Sequence, residues 1–239
     1  MGVAVSSKIP TLHYGSLSLT ASHHAMRCDA KYAAGEYVAL EKKIRSEAYF
    51  ELGDYLPLPF VKGSQPKYLD LPNEESVQVV NTLSIRNLRI NLDHCRPISK
   101  EDFDALNEER KLKKNDVLLS VDGGVSIGKS AMVTDPEVGT VDSHICILRP
   151  EGIGSSDLMY LLACPLAQTQ FKRAESGASG QTTVTEDDIR RFIFPKAIMS
   201  GLSKLVEEIE KERAGIAMEQ QILDKREAAV WQKLGALTS

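Results

Sequence analysis

The residues of this 239-residue chain best suited to chemistry lie in polar stretches between short apolar runs. The most specific pattern is Gly123-Gly124-Val125-Ser126-Ile127-Gly128-Lys129-Ser130, which fits G-x-x-x-x-G-K-[ST]. In a nucleotide-binding P-loop such a stretch follows a strand, and its backbone and lysine cradle phosphates. It must then open a helix whose N-terminus faces those phosphates. Here only residues 131–134 separate Ser130 from Asp135-Pro136, about one turn of helix. Two of the four, Val133 and Thr134, are β-branched, and no apolar strand ends in an aspartate suited to magnesium. The stretch therefore reads as the glycine-rich turn of a β-hairpin, with ATP binding through Gly123 to Ser130 kept as an alternative.

Four polar sets carry donors and acceptors of the kind that contact nucleic acid. They are Lys62, Gln65, Lys67 and Tyr68; Asn81, Ser84, Arg86 and Asn87; Asp122, Gly123, Gly124, Ser126 and Lys129; and Ser179, Gln181, Thr182 and Thr183. Lysines of such sets fix position on phosphate, whereas Gln, Asn and Arg match base edges. Gly123, Gly124, Gly177 and Gly180 would let backbone approach a duplex closely. The same residue types also suit ordinary surface loops. Other basic pairs, such as Lys172 with Arg173 and Arg190 with Arg191, suit solvated faces. His23-His24 with Cys28, and His94-Cys95, lack the ligand spacing of a zinc site. No Ser/His/Asp or Cys/His set suggests hydrolysis, so no catalytic residue and no metal are expected.

Composition places limits on these readings. Hydrophobic content of 42% and charged content of 26% are those of a globular protein. A net charge of −4 excludes nucleic-acid binding through bulk charge, so any such binding must use local cations. Cys28, Cys95, Cys146 and Cys164 show no C-x-x-C spacing, which points to a reduced, cytoplasmic protein. The start, MGVAVSSK, lacks the apolar core of a signal peptide. It fits the short myristoylation pattern Met-Gly-x-x-x-Ser, which also matches by chance. No run approaches the roughly 18 apolar residues of a membrane span.

The elements that must position the polar sets are short. Strands are expected at 116–121, 127–133 and 141–148, paired in one sheet. Further strands are expected at 77–80 and 88–92, with a polar turn at 82–87 between them and a strand broken by turns over 50–60. Helical periodicity covers 34–47. Ser99, Ser156 and Thr185 each stand where a helix cap would, and Pro165 should break the helix that Ser156 opens. From residue 199 to 234 there is no proline, and Leu202, Ile209, Ile216, Leu223 and Val230 recur every seven residues. That is one half of a coiled-coil heptad. Leu205, Val206 and Leu234 supply the other half only at its ends, so the stripe is narrow. A helix of this kind is expected to pack on a partner helix rather than fold back.

The order of motifs from residue 26 onward resembles one half of a specificity (S) subunit of type I restriction–modification systems. Arg27-Cys28-Asp29-Ala30-Lys31-Tyr32 looks like the family's Arg-x-Asp-x-x-Tyr opening, and Phe50-Glu51-Leu52-Gly53-Asp54 its Leu-Gly-Asp strand. Residues 77–87 are similar to its strand and loop ending Ile-Arg-Asn. Residues 112–120 resemble its Leu-x-x-Gly-Asp-Ile-Leu strand, with Asn115 where glycine is usual. Ile127-Gly128-Lys129, the Ser-Gly-x-x-Gln loop at 176–183 and Phe194-Pro195 complete the order. A full S subunit carries two recognition domains and two helices, whereas this chain has one of each. The glutamine-rich start common in the spacer helix is absent; Gln220-Gln221 come late.

The resemblance implies an α+β chain: an arm at 1–26, a β-rich target recognition domain at 27–198, a coiled-coil spacer helix at 199–235 and a tail at 236–239. It implies a non-enzymatic DNA-recognition subunit whose polar sets read a bipartite double-stranded target. Leu202, Leu205, Ile209, Ile216, Leu223 and Val230 would face a second half-subunit, a homodimer being the simplest form. The partner methyltransferase subunit would bind S-adenosylmethionine, because this chain has no (Asn/Asp)-Pro-Pro-Tyr tetrapeptide and no Phe-x-Gly-x-Gly loop. A restriction subunit would cleave. An assembly module that binds no DNA is the remaining alternative.

Overall fold

The computed structural model describes residues 35–134, 138–177 and 182–236. The 1–26 arm, the motif at 27–32, and Ser179 and Gln181 lie outside these residues. The chain divides into two units, 1–197 and 198–239.

In the first unit, helix α1 (Gly35–Arg45) leads to strand β1 (Tyr49–Glu51), a 3-10 turn and edge strand β2 (Val61–Lys62). Strand β3 (Val77–Val80) is followed by a tight hairpin, β4 (Ile85–Arg86) and β5 (Arg89–Ile90). Next come β6 (Arg96–Ile98) and helix α2 (Lys100–Asp104), capped by Ser99 as expected. Strands β7 (Val117–Ser120), β8 (Ser130–Met132), β9 (Val138–Val141) and β10 (Ile145–Leu148) follow. Helices α3 (Ser155–Ala163), α4 (Pro165–Ala174) and α5 (Glu186–Arg190), then strand β11 (Ile193–Pro195), complete the unit.

The central sheet has the order β2-β10-β7-β8, antiparallel throughout. A second sheet, β6-β3-β9, contains the parallel pair β3–β9. β1 pairs with β11, and β4 with β5. Every residue of β7 and β10 is buried, which explains their unbroken apolar runs. Residues directly opposite each other share a face, so Leu118, Ala131 and Ile147 point one way, into a cluster with Val80, Ile85, Val138 and Val141. Ser130 and Leu119 point the other way, where α3 covers the sheet and the Ser130 hydroxyl donates to the Met159 carbonyl, 3.1 Å away.

Four expectations are corrected. The strand expected over 141–148 is two strands in two sheets, because the chain turns at Asp142. There the carboxylate accepts the His144 N–H (2.9 Å) and the Asp142 carbonyl accepts the Ile145 N–H (3.2 Å), a side-chain mimic of a backbone turn. The strand expected over 127–133 begins only at Ser130, because Gly128 takes a φ of +82°. Within 82–87, expected as a turn alone, Ile85 and Arg86 form β4; the hairpin turn itself is Asn87-Leu88, both at positive φ. Ser156 is not the cap of α3: Gly154 holds that place. Pro165 does break the helix, standing at the first turn of α4.

One ion pair ties the ends of the two central strands. Arg149, just after β10, grips Asp116, just before β7, through Nε and Nη2, both at 2.9 Å. Nη2 also reaches the carbonyls of Glu109 (3.0 Å) and Lys111 (3.3 Å), and Asp116 accepts the Lys113 N–H (2.9 Å). Asn115 makes this approach possible with a φ of +72°, a conformation that asparagine tolerates better than most residues. That accounts for asparagine standing where the resemblance expects glycine.

The second unit opens within a 3-10 segment (Lys196–Ser200) and continues as one helix, α6 (Leu202–Ala236), of 35 residues, roughly 52 Å long at 1.5 Å per residue. Leu205, Ile209, Ile216, Leu223 and Val230 are exposed along it, with Trp231 beside them. No helix among the described residues is long and apolar enough to cross a membrane.

Arg149→Ala is expected to cost about 3–5 kcal/mol, because it strands a buried carboxylate. Urea denaturation of the two proteins measures the difference. A loss below about 1 kcal/mol would show that Asp116 needs no counter-ion.

Candidate nucleic-acid interface

Four polar segments meet at one end of the central sheet. The first follows β2, where the Gly63 N–H donates to the Ile145 carbonyl (3.0 Å) and Ser64 bridges Asp142. The second follows β7, where the Val121 N–H donates to the His144 carbonyl (3.0 Å) and Asp122 comes next. The third is the Asp142-Ser143-His144 turn between β9 and β10. The fourth closes on Thr183, which exchanges backbone bonds with Ser176 (2.8 and 3.0 Å) and donates its hydroxyl to the Val121 carbonyl (3.2 Å).

Gly63 is the residue that allows this convergence. A Cβ there would lie 2.1 Å from the Asp142 carbonyl oxygen and 2.4 Å from that of Val141. Both obstacles are backbone, so only glycine fits.

Asp122 is the electrostatic centre. One carboxylate oxygen accepts the Lys62 ammonium at 3.2 Å, and the other contacts His144 Nδ1. Nearby, the Ser143 hydroxyl donates to the Gln65 side-chain oxygen at 3.0 Å. Burial pushes the Asp142 carboxyl above its usual range, and Asp122 adds to this; the His144 N–H and the His144 side chain oppose it. Burial likewise raises the Tyr68 phenol, with Asp142 adding and Arg96 opposing. The Arg96 guanidinium stacks 3.7 Å from the Tyr68 ring centre.

The residues singled out from sequence divide into groups. Lys62, Gln65, Asp122 and Thr183 are brought together, with Thr182 beside them in the chain. Gly123 and Gly124 form the crest of the β7–β8 turn, both at positive φ. Lys67 is exposed on the loop after β2. Arg86 and Asn87 are exposed on the β4–β5 hairpin.

Asn81 and Ser84 are corrected: both are buried and brace the backbone. The Asn81 side-chain oxygen accepts the Leu83 and Ser84 N–H groups (2.8 and 3.2 Å), while its amide donates to the His94 carbonyl (2.7 Å). Ser84 Oγ accepts the Asn81 N–H at 3.2 Å. Ser126 is also buried, and Lys129 turns inward to donate to its hydroxyl at 3.3 Å.

The P-loop reading fails on the same geometry. No helix follows Lys129; Ser130 enters β8 and is buried. Gly128 serves packing, since a Cβ there would lie 2.9 Å from both Gln168 and Phe171 of α4. Among the described residues no cluster could hold a metal ion. Cys146 is not a reactive thiol, because burial pushes it up to about 12.

Sequence reasoning missed Asp142, Ser143, His144 and Arg96. The available signal was the polar triplet interrupting the apolar run 141–148, which reads as a turn once Asp is given its turn-forming role.

No family model matches the chain, and no curated protein matches it. Solved structures do. An S subunit of a type I restriction–modification system from M. genitalium matches with a TM-score of 0.47 at 16% identity, over 74% of this chain and 44% of that one. The HsdS subunit from Thermoanaerobacter tengcongensis gives 0.43 at 16% identity, over 74% and 47%. A chain from a structure of type I R-M system assembly and conformational transition gives 0.48 at 14% identity, over 71% and 39%. The likeness is to type I specificity subunits. This chain spans less than half the length of each of these three.

The raised Asp142 carboxyl has a stability consequence. Ionising a group whose folded pKa lies above its unfolded value costs stability as pH rises through the carboxylate range. Asp142→Asn keeps an oxygen for the His144 N–H but cannot ionise. Its melting temperature at pH 7 is expected to exceed that of the parent, and the gain should vanish as pH falls below the carboxylate range. Melting curves across pH check this; a gain that persists in acid would contradict it.

Proposed function

We propose that the chain is the sequence-specific DNA-recognition subunit of a type I restriction–modification or related methyltransferase system. The observation that carries this reading is the meeting of four polar segments at one end of the central sheet, on rigid strands, in an order of motifs that resembles a target recognition domain. Base edges are read by donors and acceptors held on such supports. Lys62 supplies a cation for phosphate, Gln65 a paired donor and acceptor for a base edge, and Asp122 an acceptor for an exocyclic amine. Gln181, Ser179, Thr182, Lys67, Tyr68, Arg86 and Asn87 would extend the face. With Asp122 already answering Lys62, the free surface is nearly neutral there. Binding to random DNA would therefore be weak, and a phosphate would have to replace the carboxylate as the partner of Lys62.

The chain would do no chemistry itself. Base flipping and methyl transfer would belong to a methyltransferase subunit carrying S-adenosylmethionine, and cleavage to a restriction subunit where one exists. The exposed stripe of α6 would pair with a second copy. At roughly 52 Å, the helix exceeds the roughly 34 Å of one duplex turn, so two copies would read two half-sites at a fixed gap.

Selection of the full chain against a random duplex pool tests the reading. One bipartite sequence is expected to enrich. Lys62→Ala should then weaken binding to all sequences alike and lower the salt slope by about 1, whereas Gln65→Ala should cost about 1–3 kcal/mol on the selected sequence only. No enrichment would overturn the proposal.

The pairing has its own test. Sedimentation should show a dimer that Ile216→Asp with Leu223→Asp converts to monomer. A monomeric parent chain would remove the spacing role.

A further inference from the structure

Val125 has no place among the polar contacts described above. It is 97% exposed, more than Leu71 at 80% or Trp231 at 68%. Single exposed apolar residues are common, but this one is held out by a braced turn. It stands in the 3-10 segment Gly124–Ser126 at the crest between β7 and β8. Behind it Ser126 is buried, and its N–H donates to the Gly123 carbonyl at 3.4 Å. The Ile127, Lys129 and Gly128 N–H groups donate to the carbonyls of Gly124 (3.1 Å), Ser126 (3.1 Å) and Ser120 (3.0 Å). Gly123 and Gly124 take φ of +90° and +59°, which gives the crest its shape. Nothing lies within 4 Å of where a Gly124 Cβ would stand, so the crest is open at that point. At its foot is Asp122, with Lys62 and His144 on its carboxylate.

We infer that Val125 is a specificity-determining residue that reads the C5-methyl group of a thymine in the major groove. The inference rests on the proposed DNA recognition. Of the four bases, thymine alone offers an apolar group to the major groove, and an apolar side chain is what rewards it. Polar side chains gain nothing from that methyl. A valine held on the same turn, three residues from the acceptor Asp122, would let that turn read two features: a methyl through Val125 and an exocyclic amine through Asp122. Covering one methyl is worth about fourfold in affinity.

The test uses the full chain and the duplex enriched from a random pool, resynthesised with deoxyuridine replacing thymine one position at a time. The parent chain should lose about fourfold at one position. Val125→Ser should bind the thymine and uracil duplexes equally there, at the parent's affinity for the uracil form. Val125 is exposed, so the variant is expected to melt as the parent does. If Val125→Ser keeps the parent's preference for thymine, or if the enriched site contains no thymine, the inference is wrong while sequence-selective binding stands. If Val125→Ser weakens both duplexes alike, the side chain wedges rather than reads a methyl, and the inference is again wrong. If no sequence enriches at all, the DNA-recognition reading fails with it.

Discussion

The arrangement depends on backbone packing directly against backbone at Gly63. Its Cα lies so close to the Val141 and Asp142 carbonyls that no side chain fits between them. That contact sets edge strand β2 beside β10 and carries the loop after it across the Asp142 turn. The turn is in turn clamped to the end of β7 through the Val121 N–H and the His144 carbonyl. Remove the close approach and Lys62 no longer meets Asp122. A tight main-chain contact is a stiff support, and it fixes where Lys62, Asp122 and His144 stand relative to one another.

Charge is distributed in keeping with this. The net charge of −4 gives the molecule no general pull on a polyanion. Several cations that look available in the sequence are committed: Arg149 to Asp116, Arg173 to Glu41, Arg190 to Glu186 and Lys111 to Glu108. Lys62 is paired too, but with a carboxylate that is itself shared with His144. Such a pair is exposed enough to be exchanged at small cost, because surface ion pairs contribute little net stability. The buried Arg149–Asp116 pair is of the other kind and cannot be exchanged.

The helix α6 presents a different physical case. Its apolar positions recur every seven residues, but the complementary positions in the middle are Glu212, Arg213, Glu219 and Gln220. A stripe this narrow buries little area per turn, and Gly215 weakens the helix locally by about 1 kcal/mol. Its exposed Ile216, Leu223, Val230 and Trp231 are the kind of surface that a partner helix covers.

Sequence by itself determined most of the elements. The apolar, branched runs expected at 116–121 and 141–148 do contain the buried strands β7 and β10, Ser99 and Thr185 have the right chemistry and spacing for caps, and Pro165 cannot continue a helix. These are local facts, decided by period, propensity and capping within a few residues. Sequence weighed against a P-loop, since too few residues follow Ser130 to make the required helix, and the entry of buried Ser130 into β8 decided it. Only the tertiary structure decided which polar residues share a surface. Asn81 and Ser84 carry the same groups as Gln65 and Ser143, yet one pair is spent on buried backbone and the other lies on the face. Asp142 and His144 looked like part of a strand until the crossing of two sheets made them a turn. Burial and partnership depend on residues some 60 to 80 positions apart, as with Lys62 and Asp122 or Gln65 and Ser143. No local pattern encodes such contacts; they exist only once the β2–β10 and β10–β7 ladders have brought those positions to one end of the sheet.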